Sequence, residues 1–170
     1  MHTKLMKLVA GAAAATALVG TAAAQEAVIH AGYLLATPGD GYLRKQTVVV
    51  EDGRIVSVEA GYKPGPKGVP VINLRNAYVL PGLIDSHVHI TGESGPGERI
   101  KTFEDTTVDQ AFDGAGYAHK TLLAGFTTVQ DVGGSNDAVF GLRDAIAKGL
   151  VPGPRMRAAG QAVSVTGGHG

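Results

Sequence analysis

The 170-residue sequence contains no cysteine and no tryptophan, and aromatic residues make up only 5% of it. Without cysteine, neither a disulfide nor a thiolate can contribute to its stability or its chemistry. The formal net charge is +0, so the charge balance gives no reason to expect nucleic acid or an anionic membrane surface as a partner. The hydrophobic content of 44% is ordinary for a globular protein.

The apolar run near the start of the chain is shorter than the roughly 20 residues that a membrane-spanning helix needs. Lys4 and Lys7 precede an alanine-rich apolar segment over 8–19, and three alanines at 22–24 precede Gln25. This pattern favours a cleaved signal peptide over residues 1–24 rather than a membrane anchor or an amphipathic first helix. We therefore expect export to the periplasm or the extracellular space, with no stable membrane anchor.

Residues 25–80 predict a small β-sandwich-like domain. The Asp52-Gly53 pair lies between two β-branched segments, 47–50 and 55–58, which is typical of a tight hairpin. Two further short strands are expected over 69–74 and 77–80. An accessory domain that covers part of a larger one is favoured over a separate binding module.

From residue 81 onward, extended segments alternate with segments of helical periodicity, as in parallel βαβ units. The strands are expected to begin near Leu83, Phe126 and Arg155, with the third reaching Val163. Asp105 or Thr106 is expected to cap the first helix. The residues expected on its apolar face are Val108, Phe112, Ala115, Leu122 and Leu123, with His119 half-buried beside them.

The first of these strands ends in a His-x-His pair. Because side chains alternate along a strand, Asp85, His87 and His89 are expected on one face, opposite Ile84, Ser86 and Val88, which suit packing against helices. Two neighbouring imidazoles can reach one cation at roughly 2.0–2.1 Å. An isolated His-x-His is usually coincidence. A preceding Pro-Gly turn and a glycine-rich loop straight after it favour a site at the C-terminal end of a strand.

The segment Leu80-Pro81-Gly82-Leu83-Ile84-Asp85-Ser86-His87-Val88-His89 resembles the first-strand signature of the amidohydrolase superfamily. The likeness continues through 124–134 and the closing Gly-Gly-His-Gly, and it is strongest to imidazolonepropionase-like and dipeptidase-like members. It implies an α/β fold in which residues 81–170 form about three strands of a TIM-like (β/α) barrel. It also implies hydrolysis of amide, cyclic amide or dipeptide carbon–nitrogen bonds by a metal-activated water.

The resemblance assigns His87 and His89 as ligands of one or two divalent ions, zinc above all, although other divalent metals remain open. Asp85 would either orient an imidazole or be purely structural. His169 would either touch a small-molecule or dipeptide substrate or lie in a flexible chain end. For Asp131, packing or loop hydrogen bonding is favoured. The lysine, later histidines and late aspartate that complete the site in the family have no counterpart, so no catalytic residue is assigned.

A closed barrel of this type needs roughly 200–250 residues, more than residues 81–170 provide. The sequence therefore resembles the N-terminal part of a longer hydrolase, as a gene fragment, a split product or a partial sequence. We expect the 170-residue chain alone to be inactive. The alternative is a non-catalytic exported fragment or binding module, and the oligomeric state is not indicated.

Overall fold

The computed structural model describes residues 26–166, which adopt a mixed α/β fold in two compact units that divide between Val79 and Leu80. The expected signal peptide at 1–24 and His169 lie outside the described residues. Across residues 26–166 we find no helix with the length and apolar character needed to cross a membrane.

The first unit is built on one four-stranded sheet. Its strands are β1 (Ala27–Leu34), β2 (Leu43–Glu51), β3 (Arg54–Ala60) and β4 (Val71–Val79), in the order β3-β2-β1-β4. Strands β1, β2 and β3 pair antiparallel, whereas β4 runs parallel to β1. Residues 26–79 thus form a single sheet, and the second layer that a sandwich requires is not among them.

Local turn chemistry determines the β2–β3 hairpin. Asp52 and Gly53 have φ angles of 50° and 70°, as a two-residue type I′ turn requires, which confirms the predicted hairpin. The prediction of two strands over 69–80 is wrong, because β4 continues through a register shift opposite the Ala31 to Tyr33 segment. Gly32 permits this close pairing, since a Cβ there would lie 2.2 Å from the carbonyl oxygen of Arg75.

The second unit contains the alternating strands and helices expected from the sequence. Three parallel strands, β5 (Leu83–Val88), β6 (Phe126–Asp131) and β7 (Arg155–Ala158), lie in that order in one sheet. The helices are α1 (Glu98–Glu104), α2 (Thr107–Leu123) and α3 (Asn136–Ala147). The short helix α1 was not predicted. Strand β7 ends at Ala158, five residues before the expected Val163.

The apolar core of this unit consists of Ile90, Ala118, Val129, Val139, Leu142 and Met156. The expected apolar face of α2 is wrong in part, because Phe112 is 76% exposed. Val108 and Leu123 are exposed as well. The buried residues of α2 are instead the small Gly114 and Ala118, which allow close approach of α3.

Strand β5 also departs from simple alternation. Val88 packs against the core as expected, but Ile84 on the same expected face is 72% exposed. Pairing of β5 with β6 is irregular between Asp85 and Val88, so the strand does not present one continuous apolar face. His87 lies within this irregular stretch and His89 directly follows Val88, the last residue of the strand.

Candidate metal-binding site

His87 and His89 lie together at the C-terminal end of β5. Their ring centroids are 5.5 Å apart and the ring planes are inclined by 74°. Both side chains are exposed, whereas the next residue, Ile90, is buried in the core at 4% exposure. The backbone is therefore anchored directly after the pair. The structure brings the two predicted ligands together, and metal ligation itself stays a prediction.

The ring of His89 is oriented by a backbone carbonyl. Its Nδ1 lies 2.8 Å from the carbonyl oxygen of Gly133. Because a carbonyl oxygen can only accept, Nδ1 carries the proton and donates it. In the neutral ring Nε2 then has a free lone pair, which is how histidines that bind metals are usually arranged.

An open cavity of about 800 Å³ lies over the two imidazoles. Pockets for small molecules commonly have volumes of roughly 300–1,000 Å³. Backbone glycines form part of the wall, and a Cβ at Gly133 would come within 3.1 Å of Cε1 of His89. The lining residues are His87, His89, Val132, Gly133, Gly134, Ser135, Gln161 and Ala162.

Asp85 accepts a hydrogen bond within its own strand. Its Oδ1 lies 3.0 Å from the backbone nitrogen of His87, which donates. Within residues 26–166 its carboxylate has no hydrogen bond to an imidazole nitrogen. The bond fits the structural role considered for Asp85, and a role in orienting an imidazole stays a prediction.

Asp131 and Gly133 connect the ends of β5 and β6. The Asp131 side chain is fully buried, and its Oδ2 accepts from the Ile90 backbone N–H at 2.8 Å. Its Oδ1 accepts from the Gly133 N–H at 3.1 Å. The interpretation of Asp131 as a loop hydrogen-bonding residue is confirmed.

Sequence reasoning did not identify Gly133 as a partner of His89. The available signal was that C-terminal ends of neighbouring parallel strands meet at one edge of a sheet. His119, which was expected to be half-buried on α2, is exposed and lines none of the cavities beside the histidine pair.

A second cavity of about 500 Å³ shares His89, Gly133, Gly134 and Ser135 with the first. Its other walls are more charged and include Lys101 and Asp113, whose Nζ and Oδ2 are 2.8 Å apart. The hydrogen bond from Lys101 to Asp113, and next the charge of that carboxylate, raise the pKa of Lys101 above its ordinary value. The lysine therefore remains positively charged in the wall of this second cavity.

The donor set fits part of a divalent-metal site. Two imidazoles are ligands that zinc commonly takes, and catalytic zinc sites usually have three protein ligands and a water. Across residues 26–166, no group of three or more histidine, cysteine, aspartate or glutamate side chains is arranged to hold an ion. Within these residues the predicted ligands are His87 and His89.

Comparison with known proteins identifies related sequences and structures. The sequence profile of the amidohydrolase family matches residues 78–168. Ochratoxinase from Aspergillus niger is 30% identical over 168 residues, covering 90% of this chain and 32% of that protein. N-acyl-D-aspartate deacylase from Alcaligenes xylosoxydans xylosoxydans is 42% identical over 72 residues, covering 42% of this chain and 14% of that protein.

A crystal structure of a Xaa-Pro dipeptidase with bound methionine in the active site superimposes with a TM-score of 0.75 and 34% identity. It covers 85% of this chain, which in turn covers 35% of that protein. The chain therefore spans about a third of the length of ochratoxinase and of the dipeptidase.

Proposed function

The chain belongs to the amidohydrolase family, and on that premise we propose that it forms part of a metal-dependent hydrolase of carbon–nitrogen bonds. The observation that supports this most directly is the His87–His89 pair, with rings 5.5 Å apart at a strand end and Nδ1 of His89 lying 2.8 Å from the carbonyl oxygen of Gly133. Enzymes named for dipeptide and N-acyl cleavage among its relatives support an amide, cyclic amide or dipeptide bond as the target.

In this proposal His87 and His89 hold a divalent ion, for which zinc is the leading candidate. Such an ion, when bound, lowers the pKa of a coordinated water toward about 7 and polarises the scissile carbonyl. The chain itself fixes the proton of His89 on Nδ1 through the Gly133 carbonyl. The remaining lone pair of the neutral ring is then on Nε2.

The chain also provides space and backbone for a substrate. The cavity of about 800 Å³ accommodates a small molecule or a dipeptide. Gly133 and Gly134 in its wall carry no side chain, so a substrate can approach the backbone there. His169 remains a candidate substrate contact on sequence grounds alone.

We extend the proposal to the fold of the whole protein. The three parallel strands β5, β6 and β7 represent the first strands of a TIM-like (β/α) barrel, with residues 25–80 as an accessory domain. Their order and the site's location at C-terminal strand ends support this, since barrel enzymes place their chemistry there. Export through a signal peptide over 1–24 is proposed from the sequence.

The test compares zinc binding by the wild type, the double variant His87→Ala/His89→Ala and His119→Ala. His119 is the matched control because it is an exposed histidine of α2 outside the cavities beside the pair. Competition titration with a chromogenic chelator should show one zinc site in the wild type and the control, lost in the double variant. Equal zinc binding in all three would contradict the proposal and favour a binding module.

Activity is tested on a longer protein that contains this chain. Hydrolysis of Xaa-Pro dipeptides and N-acyl amino acids should stop on removal of metal and return on adding zinc. The double histidine variant should remain inactive with zinc present. Hydrolysis that survives both a chelator and the double substitution would refute metal dependence.

A further inference from the structure

The proposed hydrolysis assigns no role to the buried carboxylate of Asp131. It is fully buried at the end of β6 and accepts one hydrogen bond on each oxygen, from Ile90 at 2.8 Å and from Gly133 at 3.1 Å. We call this carboxylate with its two bonds the Asp131 clamp. Burying a carboxylate is costly unless it is paired or hydrogen-bonded. At Asp131 both oxygens accept a backbone hydrogen bond, which offsets this cost.

The clamp belongs to a closed ring of contacts around His89. Asp131 holds the N–H of Ile90, the residue that follows His89. It also holds the N–H of Gly133, whose carbonyl oxygen accepts from Nδ1 of His89 at 2.8 Å. One carboxylate thus fixes both the backbone that carries the imidazole and the residue whose carbonyl determines its protonation.

The chemistry of the carboxylate explains why aspartate suits this position. Two backbone donors arrive from different strand ends, and an ionised carboxylate offers an acceptor oxygen to each in charge-assisted bonds. An asparagine has nearly the same shape but offers only one oxygen. The NH₂ of the asparagine side chain, itself a donor, would face one of the two backbone N–H groups and leave that N–H without an acceptor.

We propose that Asp131 is a positioning residue that holds His89 in the tautomer protonated on Nδ1, acting through Gly133. The consequence is that the lone pair of the neutral His89 ring lies on Nε2. The role of the clamp in metal affinity rests on the proposed function, whereas its control of the tautomer does not.

The experiment uses ¹⁵N NMR of the imidazole nitrogens in the full chain without metal, at a pH where His89 is neutral. The wild type should show a protonated Nδ1 and an unprotonated Nε2, although free histidine in water prefers the opposite tautomer. Asp131→Asn should shift His89 toward Nε2 protonation. Asp137→Asn is the matched control, because it removes the same charge from an exposed position in the first turn of α3.

The second readout is zinc affinity measured by competition titration. Asp131→Asn should weaken zinc binding by about 10- to 100-fold, as loss of residues that support metal ligands typically does. Asp137→Asn should leave both the tautomer and the affinity unchanged. A tautomer that is the same in Asp131→Asn and wild type would overturn the proposal.

If Asp131→Asn does not fold, the wild-type spectrum can still overturn the proposal, since a His89 protonated on Nε2 would refute the clamp's role. Suppose that the wild type has the expected tautomer, that Asp131→Asn shifts it, and that the wild type binds no zinc. This result would refute the proposed metal site and support the role of the clamp. The two failures are therefore distinguishable.

Discussion

Replacing Gly133 by alanine places a methyl group against the ring of His89. The added Cβ would lie 3.1 Å from Cε1 and 3.3 Å from Nδ1 of that ring. Favourable contacts between carbon atoms begin at about 3.5 Å, so the ring must retreat by a few tenths of an ångström. Because Nδ1 is held at 2.8 Å by the carbonyl of Gly133 itself, the retreat strains this hydrogen bond.

The structure gives an approximate magnitude for this effect. Complete loss of the bond between His89 and Gly133 costs about 0.5–1.5 kcal/mol, the net value of a typical hydrogen bond. Since 1.4 kcal/mol corresponds to a factor of ten in an equilibrium constant, zinc affinity should fall by roughly 2- to 12-fold. Isothermal titration of zinc into the wild type and the variant measures the change directly.

The control is Gly141→Ala in α3, where an added Cβ has no heavy atom within 4 Å. Alanine in place of a helical glycine should raise the stability by about 0.5–1 kcal/mol and leave zinc affinity unchanged. Equal zinc affinity in Gly133→Ala and wild type would refute the reasoning, because the ring would then not be held where the structure places it.

Two further predictions concern stability. Gly82→Ala would place a Cβ 2.1 Å from Oγ1 of Thr127, so thermal unfolding should show a loss of about 1–3 kcal/mol, the usual cost of overpacking. In the capping box of α2, the Thr106 hydroxyl and next its backbone N–H donate to Asp109 and lower the pKa of that carboxyl. Because the folded-state pKa lies below the unfolded-state value, this stabilisation is present above the unfolded-state pKa and is lost as the pH falls through the folded-state pKa. Thr106→Ala should therefore flatten the acid dependence of helix content measured by circular dichroism.

Each of these has a clear contrary result. Gly92→Ala is the control for Gly82, since its Cβ would meet no heavy atom within 4 Å, and equal melting temperatures for the two variants would contradict the packing argument. An acid transition that Thr106→Ala leaves unchanged would show that the capping box does not control the helix.

Sequence predicted the features that depend on neighbouring residues along the chain. The Asp52-Gly53 turn and the Thr106 cap are set by local backbone chemistry, and both are present. The buried face of α2 could not be read in this way. Periodicity gives weight to large apolar residues such as Phe112, whereas α3 packs against the helix where Gly114 leaves space.

In the candidate site, too, some features were predictable from neighbouring residues and others depended on the tertiary structure. The one-residue spacing of His87 and His89 at the end of a predicted strand was enough to predict that their rings lie together. Their support was not predictable from that strand alone, because Asp131 and Gly133 lie more than 40 residues further along the chain. Only the pairing of β5 with β6 brings them to the histidines, and recognising them required the strand order.

The most direct test of the account is X-ray absorption spectroscopy of the protein loaded with one equivalent of zinc. The account predicts two imidazole nitrogens among the ligands at roughly 2.0–2.1 Å, with the imidazole scattering lost in the His87→Ala/His89→Ala variant. A zinc environment composed of oxygen alone, or one that the double substitution leaves unchanged, would contradict it.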